Sequence, residues 1–233
     1  MAQKWDKFIR AFITNQGYKT VLDGFKSTME IALFGFLIGI AIGALIAIIK
    51  VSASRNKFMK GLSVVGDVYV GFFRGTPIIV QLLLVYYVLF PAMGVSVDKL
   101  VVGIVTFGFN SGAYVSEIMR AGIKSVDVGQ MEAGRSLGLS YMRTMAKVVL
   151  PQAVKNTLPT LGNELIALVK DTSVVGFIAV TDLTQAFKLI GAGTYEYIIP
   201  YVMLALVYLV IVLCITGLIK LAERRLAKSD RRK

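Results

Sequence analysis

The chain has 233 residues, 56% of them hydrophobic and 17% charged, with a mean hydropathy of +0.70, too apolar for an ordinary water-soluble domain of this length. Lys and Arg number 26 against 14 Asp and Glu, a formal charge of +12; they cluster between apolar runs rather than in one stripe, which points to a membrane and away from nucleic acid. There is no histidine, and the single cysteine, Cys214, lies in an apolar run, so an intrachain disulfide is excluded and neither catalytic nor metal-binding residues are expected.

Residues 1–25 mix charged and apolar side chains without the cleavage site of a signal peptide, and are expected to remain as an interfacial amphipathic segment. Beyond them the pattern predicts an all-α integral membrane protein with about five transmembrane helices, counted from runs near the roughly 20 residues that cross a bilayer. These fall at roughly 26–49, 64–90, 98–119 and 197–219, with a less apolar fourth between Pro151 and Val180. Basic groups at Lys50, Arg55, Lys57 and Lys60, across 120–155 and across 220–233 orient the chain N-out and C-in, although the lysines of the N-terminal segment strain that assignment.

Span one carries Gly35, Gly39, Gly43 and Ala47 every four residues, a face for close helix packing or for sliding along a neighbour. In span two Arg74 is expected to pair with Asp67, and Gly75-Thr76-Pro77 to break the helix. Span three sets Asn110 and Glu117 roughly on one face, where both are candidates to line a polar path; pairing with Arg120 is the simpler account of Glu117. Span four holds Pro159, Asn163, Glu164, Lys170 and Asp171, so it is expected to be broken or shielded by protein. Asn163 and Glu164 lead the substrate-binding candidates, because a carboxylate there can pair with an ammonium group; satisfying a donor at a subunit interface is the competing role.

The stretch GQMEAGRSLGLSYMRTMAKVVLPQA, residues 129–153, is conspicuously polar. Asp127 is expected to cap a helix over roughly 128–137, with Gln130 completing a reciprocal pair and Gly138 ending it; Ser140 would cap a second helix that stops near Pro151. Small Ala133, Gly134 and Ser136, apolar Met131 and Leu137, and charged Glu132 and Arg135 suit a plug for a partner's groove better than a helix resting on headgroups.

EAG at 132–134, Gly138 and LPQA at 150–153 resemble the EAA loop of ABC importer membrane subunits. FRGTPIIVQ (73–81), AYVSEIMRAGI (113–123), GQMEAGRSLGLS (129–140), LPQAVKNTLPTLGNELI (150–166) and KDTS (170–173) are similar to the polar amino acid branch of that family; Gly134 stands where the motif commonly has Ala. The resemblance implies a type I ABC importer transmembrane domain over 26–219, with a coupling helix within about 128–150 and a basic cytoplasmic tail at 220–233. It implies a multi-pass permease of the bacterial cytoplasmic membrane, paired with a second permease subunit, identical or not. Two ABC ATPase subunits, an extracytoplasmic solute-binding protein and a polar amino acid substrate complete the set. Gln130, Glu132, Ala133, Gly134, Leu137 and Gly138 would dock the ATPase, and an interface or gate role for Lys170 and Asp171 follows from the resemblance only. No G-x-x-x-x-G-K-[ST] loop is present, so ATP and Mg belong on the partner and no cofactor is expected on this chain. A secondary transporter or passive channel subunit for small zwitterions is the alternative. An intramembrane protease built on GFNSG (108–112) is rejected, since Ser111 has no histidine or nearby lysine as base.

Overall fold

The computed structural model describes residues 2–52 and 57–230; Arg55 and the last three basic residues of the orienting clusters lie outside the described residues. Helix α1 (Ala2–Ile9) continues through a π-helical turn at Arg10–Thr14. Phe8 packs with Leu183, Phe187, Ile190 and Ile199, and Lys4 pairs with Glu196 at 2.8 Å, so this segment is clamped to the far end of the chain. It is shorter than expected. Helix α2 (Gly17–Ser52) starts nine residues before the predicted first span, because nothing between Gly17 and Lys26 interrupts a helix.

Helix α3 (Lys57–Gly75) meets α4 (Ile78–Leu84) at 106°, broken at Thr76-Pro77 as the sequence predicts. A π-helical turn at Val85–Leu89 leads into α5 (Phe90–Ala92), and α6 (Lys99–Lys124) follows, capped by Asp98, whose Oδ1 accepts from Leu100 N at 2.8 Å. Then come α7 (Val128–Ser136), α8 (Tyr141–Thr144), a π-helical turn at Met145–Val149, α9 (Leu150–Asp171), a 3-10 turn at Thr172–Ile178, α10 (Leu183–Thr194) and α11 (Ile198–Asp230). The expected stop at Pro151 does not occur. A proline in a helix removes one hydrogen bond and crowds the carbonyl four residues back, here that of Lys147, and the π-helical turn widens the ladder over that residue. Pro91 follows its own π-helical turn in the same manner.

Among the described residues two helices, Gly17–Val51 and Ile198–Arg225, are long and apolar enough to cross a membrane, and α3 with α4–α5 makes a third if the bent pair is one span. That is fewer than the five counted in the sequence. Helices α6 and α9 are 26 and 22 residues long, enough for the hydrocarbon core at about 1.5 Å per residue, but they carry the chain's polar groups inward. Thr106, Asn110, Ser111 and Ser116 of α6 are all buried. Such helices are shielded from lipid by their neighbours, whereas α11 packs one face, with Met203, Val207, Ile211 and Ile215, on the core and turns the other, with Leu206, Leu209, Val210 and Leu213, outward.

Helix α6 is the centre of the molecule. Its Phe107 joins Ile31 of α2, Leu82 of α4, Leu168 and Val169 of α9 and Val175 in the main core cluster. The glycine face of α2 packs on it as expected. A methyl group at Gly39 would stand 2.7 Å from Ser111 Cβ, and one at Gly43 2.6 Å from Val115 Cγ1; reciprocally, one at Gly108 would stand 2.6 Å from Ile38 Cγ2. Real carbon atoms do not approach this closely, so both helices need their glycines to interlock. At the opposite end Thr28 Oγ1 of α2 accepts from Leu183 N at 3.2 Å, and buried Asp182 caps α10 through Thr184 N and Gln185 N, both 3.0 Å.

Candidate functional site

The break between α3 and α4 leaves carbonyl groups at the end of α3 without helical donors. Side chains supply them. Gln81 Nε2 donates to Phe73 O at 2.9 Å and Thr76 O at 3.0 Å, while Asn110 Nδ2 donates to Gln81 Oε1 at 3.0 Å and to Phe73 O at 3.3 Å. Gln81 and Asn110 are both buried, so the two amides form a satisfied polar lock that fixes the bend against α6. Beside it lies a cavity of about 330 Å³ walled by Thr76, Pro77, Asn110, Tyr114, Glu164 and Asp171 among others, at the small end of ligand-site volumes. Ser111 Oγ donates to Glu164 Oε1 at 3.0 Å. The serine considered as a nucleophile thus orients a carboxylate instead.

Two of the four substrate-binding candidates, Asn110 and Glu164, share this cavity. Asn163 does not: it is exposed on α9, in line with exposed Asn156, Pro159, Thr160 and Lys170, because adjacent helical residues point about 100° apart. Glu117 also lies elsewhere. Lys50 Nζ stands 2.8 Å from both Glu117 Oε1 and Asp67 Oδ1, and Arg120 pairs with Glu117 from the next turn. Pairing of Glu117 with Arg120 is therefore observed, whereas pairing of Arg74 with Asp67 is not. Asp67 is taken by Lys50 from α2, and Arg74 lies with its Cζ 5.3 Å from the centre of the Tyr114 ring. Sequence reasoning missed Gln81 and Tyr114 and left Asp171 to analogy. Their spacing held a signal: Asp171 follows Glu164 by seven residues and Tyr114 follows Asn110 by four, each on a shared helical face.

At the other end of α6, Asp127 Oδ1 accepts from Gly129 N at 2.7 Å to start α7, and Gly138, at φ +80, ends it. Gln130 does not complete the reciprocal cap; its Oε1 accepts from Gln152 Nε2 at 3.3 Å, tying α7 to the start of α9. Gln130, Glu132, Ala133 and Gly138 are exposed, and Leu137 is 83% and Val128 70% exposed. Gly134 departs from that face. It is buried against α8, where a methyl group would meet Thr144 Cγ2 at 2.3 Å. Thr144 fills the space that a methyl group would need, and Gly134 faces α8 rather than the exposed side of α7.

Residues 35–228 match the family described as the binding-protein-dependent transport system inner membrane component. The chain belongs to this family. The inner membrane component is 38% identical over 90% of its length, and 94% of the relative's, to the arginine transport system permease protein ArtQ of Bacillus subtilis (strain 168). It is 34% identical to the putative glutamine transport system permease protein GlnP of Rickettsia bellii (strain RML369-C), covering 90% of the chain and 94% of that protein. With the L-cystine transport system permease protein TcyB of B. subtilis (strain 168) it shares 36% identity over 92% of the chain and 90% of the relative. Among solved structures, an amino acid ABC transporter crystallised with histidines superposes with a TM-score of 0.82 at 38% identity, covering 91% of this chain and 96% of that one. The inward-facing MetNI methionine ABC transporter shares the fold alone, at a TM-score of 0.62 and 23% identity over 91% and 94% of the two chains. The inner membrane component is thus an all-α permease of the ABC importer class with the type I transmembrane fold, as the five sequence blocks imply.

Proposed function

We propose that this chain forms the translocation pathway of an ATP-driven importer of polar amino acids, works as a dimer, and is coupled to two ATPase subunits through α7. The observation that carries the reading is the outward face of α7. Leu137 and Val128 stand far out of the protein beside Gln130, Glu132 and Ala133, an arrangement that costs free energy in water unless a groove receives it. Hydrolysis of ATP is assigned to the partner that owns that groove, since this sequence lacks a phosphate-binding loop. The polar line Asn156, Thr160, Asn163 and Lys170 on α9 favours a second permease copy over lipid as its cover. Relatives named for arginine, glutamine and cystine transport share the α-amino acid group, and a cavity with two carboxyl groups suits its ammonium end. A bacterial cytoplasmic membrane, an N-out and C-in orientation and delivery by an extracytoplasmic binding protein complete the reading. Leu137→Glu and Glu132→Arg are expected to leave the chain in the membrane and to release the ATPase subunits on purification; co-purification in unchanged yield would refute docking through α7. Uptake that survives removal of the ATPase subunits would favour the secondary-transporter alternative.

A further inference from the structure

A second cavity, of about 430 Å³, is lined by Lys50, Asp67, Arg74, Glu117 and Arg120. Its charges do not balance. Lys50 takes Asp67 and shares Glu117 with Arg120, so two carboxylates meet two cations and, among the described residues, Arg74 is left without a carboxylate. A third cavity, of about 370 Å³, is lined by Arg74, Tyr114, Glu117, Asn156 and Thr160 and reaches Ser125, at the end of α6 that leads into α7; its carboxylate, Glu117, is the one shared by Lys50 and Arg120. Tyr114 is also a wall of the cavity that holds Glu164 and Asp171. The Tyr114 ring therefore divides the space of Glu164 and Asp171 from the space on the α7 side, and Arg74 lies over that ring. Stacking on an aromatic ring leaves the edge of a guanidinium, with its paired N–H groups, free for a planar carboxylate.

We infer that Arg74, over Tyr114, receives the carboxylate of the amino acid that passes from the Glu164 cavity toward the α7 side. This rests on the amino acid reading of the pathway. The path then offers acceptors for the ammonium end on one side of Tyr114 and a donor for the carboxylate on the other. An ion-paired arginine would not serve, and Lys50 and Arg120 are what hold Asp67 and Glu117 in ion pairs that Arg74 does not share.

The test uses the purified permease–ATPase complex without binding protein, and measures equilibrium binding of labelled arginine, glutamine and agmatine, the decarboxylated form of arginine. Arg74→Gln is expected to weaken arginine and glutamine about tenfold or more, the scale of a charge-assisted contact, and to leave agmatine within twofold. Arg74→Lys, which keeps charge but not the fork, should fall between. Equal losses for arginine and agmatine, or no loss, would overturn the inference while the amino acid reading stands. Binding of none of the three by the wild-type complex would overturn that reading and this inference together. Dissociation of the complex by both Arg74→Gln and Arg74→Lys would show that the arginine pairs with a carboxylate of the partner subunit, which also overturns it.

Discussion

Gly134→Ala puts the packing of the α7–α8 hairpin to a sign test. The added methyl group would lie 2.3 Å from Thr144 Cγ2, 3.0 Å from its Oγ1 and 3.2 Å from its Cβ. Thr144 is buried and β-branched, and its Oγ1 donates to Ser140 O at 3.1 Å, so it has no free rotamer to yield with. Overpacking of this kind costs about 1–3 kcal/mol, against a gain of about 1 kcal/mol from replacing Gly by Ala within a helix. The net is a loss of about 1 kcal/mol, or roughly fivefold faster amide exchange across residues 128–139 in the assembled complex. Thr144→Ser removes Cγ2 but keeps the hydroxyl bond. In that background Gly134→Ala is expected to leave exchange within about twofold of its parent, because the 2.3 Å contact is gone while those at 3.0 and 3.2 Å offset the gain in helix propensity. Hydrogen–deuterium exchange with mass detection reads both. Slower exchange in Gly134→Ala alone would refute the inward packing and return Gly134 to the docking face.

Glu164→Gln keeps an oxygen for the Ser111 hydroxyl, so assembly should be intact while uptake affinity falls about ten- to hundredfold, the loss of a contact worth about 1.5–3 kcal/mol; wild-type uptake of every labelled amino acid would assign Glu164 to packing. Gln81→Leu strips Thr76 O of a buried donor and leaves Phe73 O with Asn110 Nδ2 alone, at about 1–3 kcal/mol for the unpaired group, and is expected to lower the thermal aggregation midpoint and uptake together; an unchanged midpoint would mean that Pro77 alone holds the bend. The hydrogen-bonded Lys4 ammonium holds the Glu196 carboxyl below its usual range. The clamp on α1 is then fully present above that range and is lost as pH falls through the depressed value, an effect that Trp5 emission should report and Lys4→Met should abolish. A cysteine at position 96 is expected to react with an impermeant label from outside and one at position 229 only after the membrane is opened; the reverse would overturn the orientation.

What the sequence made legible was local. Asp127 before a helix, Gly138 after it, the Gly-Thr-Pro break and the four-residue glycine rhythm of α2 each act within a turn or two, and each is found where it was expected. The fate of longer-range groups depended on how helices rotate against one another. Asp67 and Arg74 are well spaced for each other on α3, yet Lys50 arrives from another helix and takes the aspartate. Gly134 belongs to a motif whose outward face is exposed, and only the return of α8 turns it inward. Helix α6 falls short of an apolar span for a related reason: hydropathy treats Asn110, Ser111 and Ser116 as dilution of an apolar run, whereas in the fold they face protein.

The interlocked glycines of α2 and α6 also restrict how the molecule can move. Sliding one helix along the other by a single residue, about 1.5 Å, would bring Ser111 and Val115 off Gly39 and Gly43 and onto side chains for which there is no room. The two helices consequently form a fixed mast, and the glycine rhythm is no rail. Any opening and closing of a path beside Glu164 has to be carried by the parts hung on that mast: the 106° elbow at Pro77 and the tilt of α9. A methyl group set into the mast at Gly43 would wedge it apart and disturb both faces at once, whereas one at Gly71 of α3, with nothing within 4 Å, would pass unnoticed.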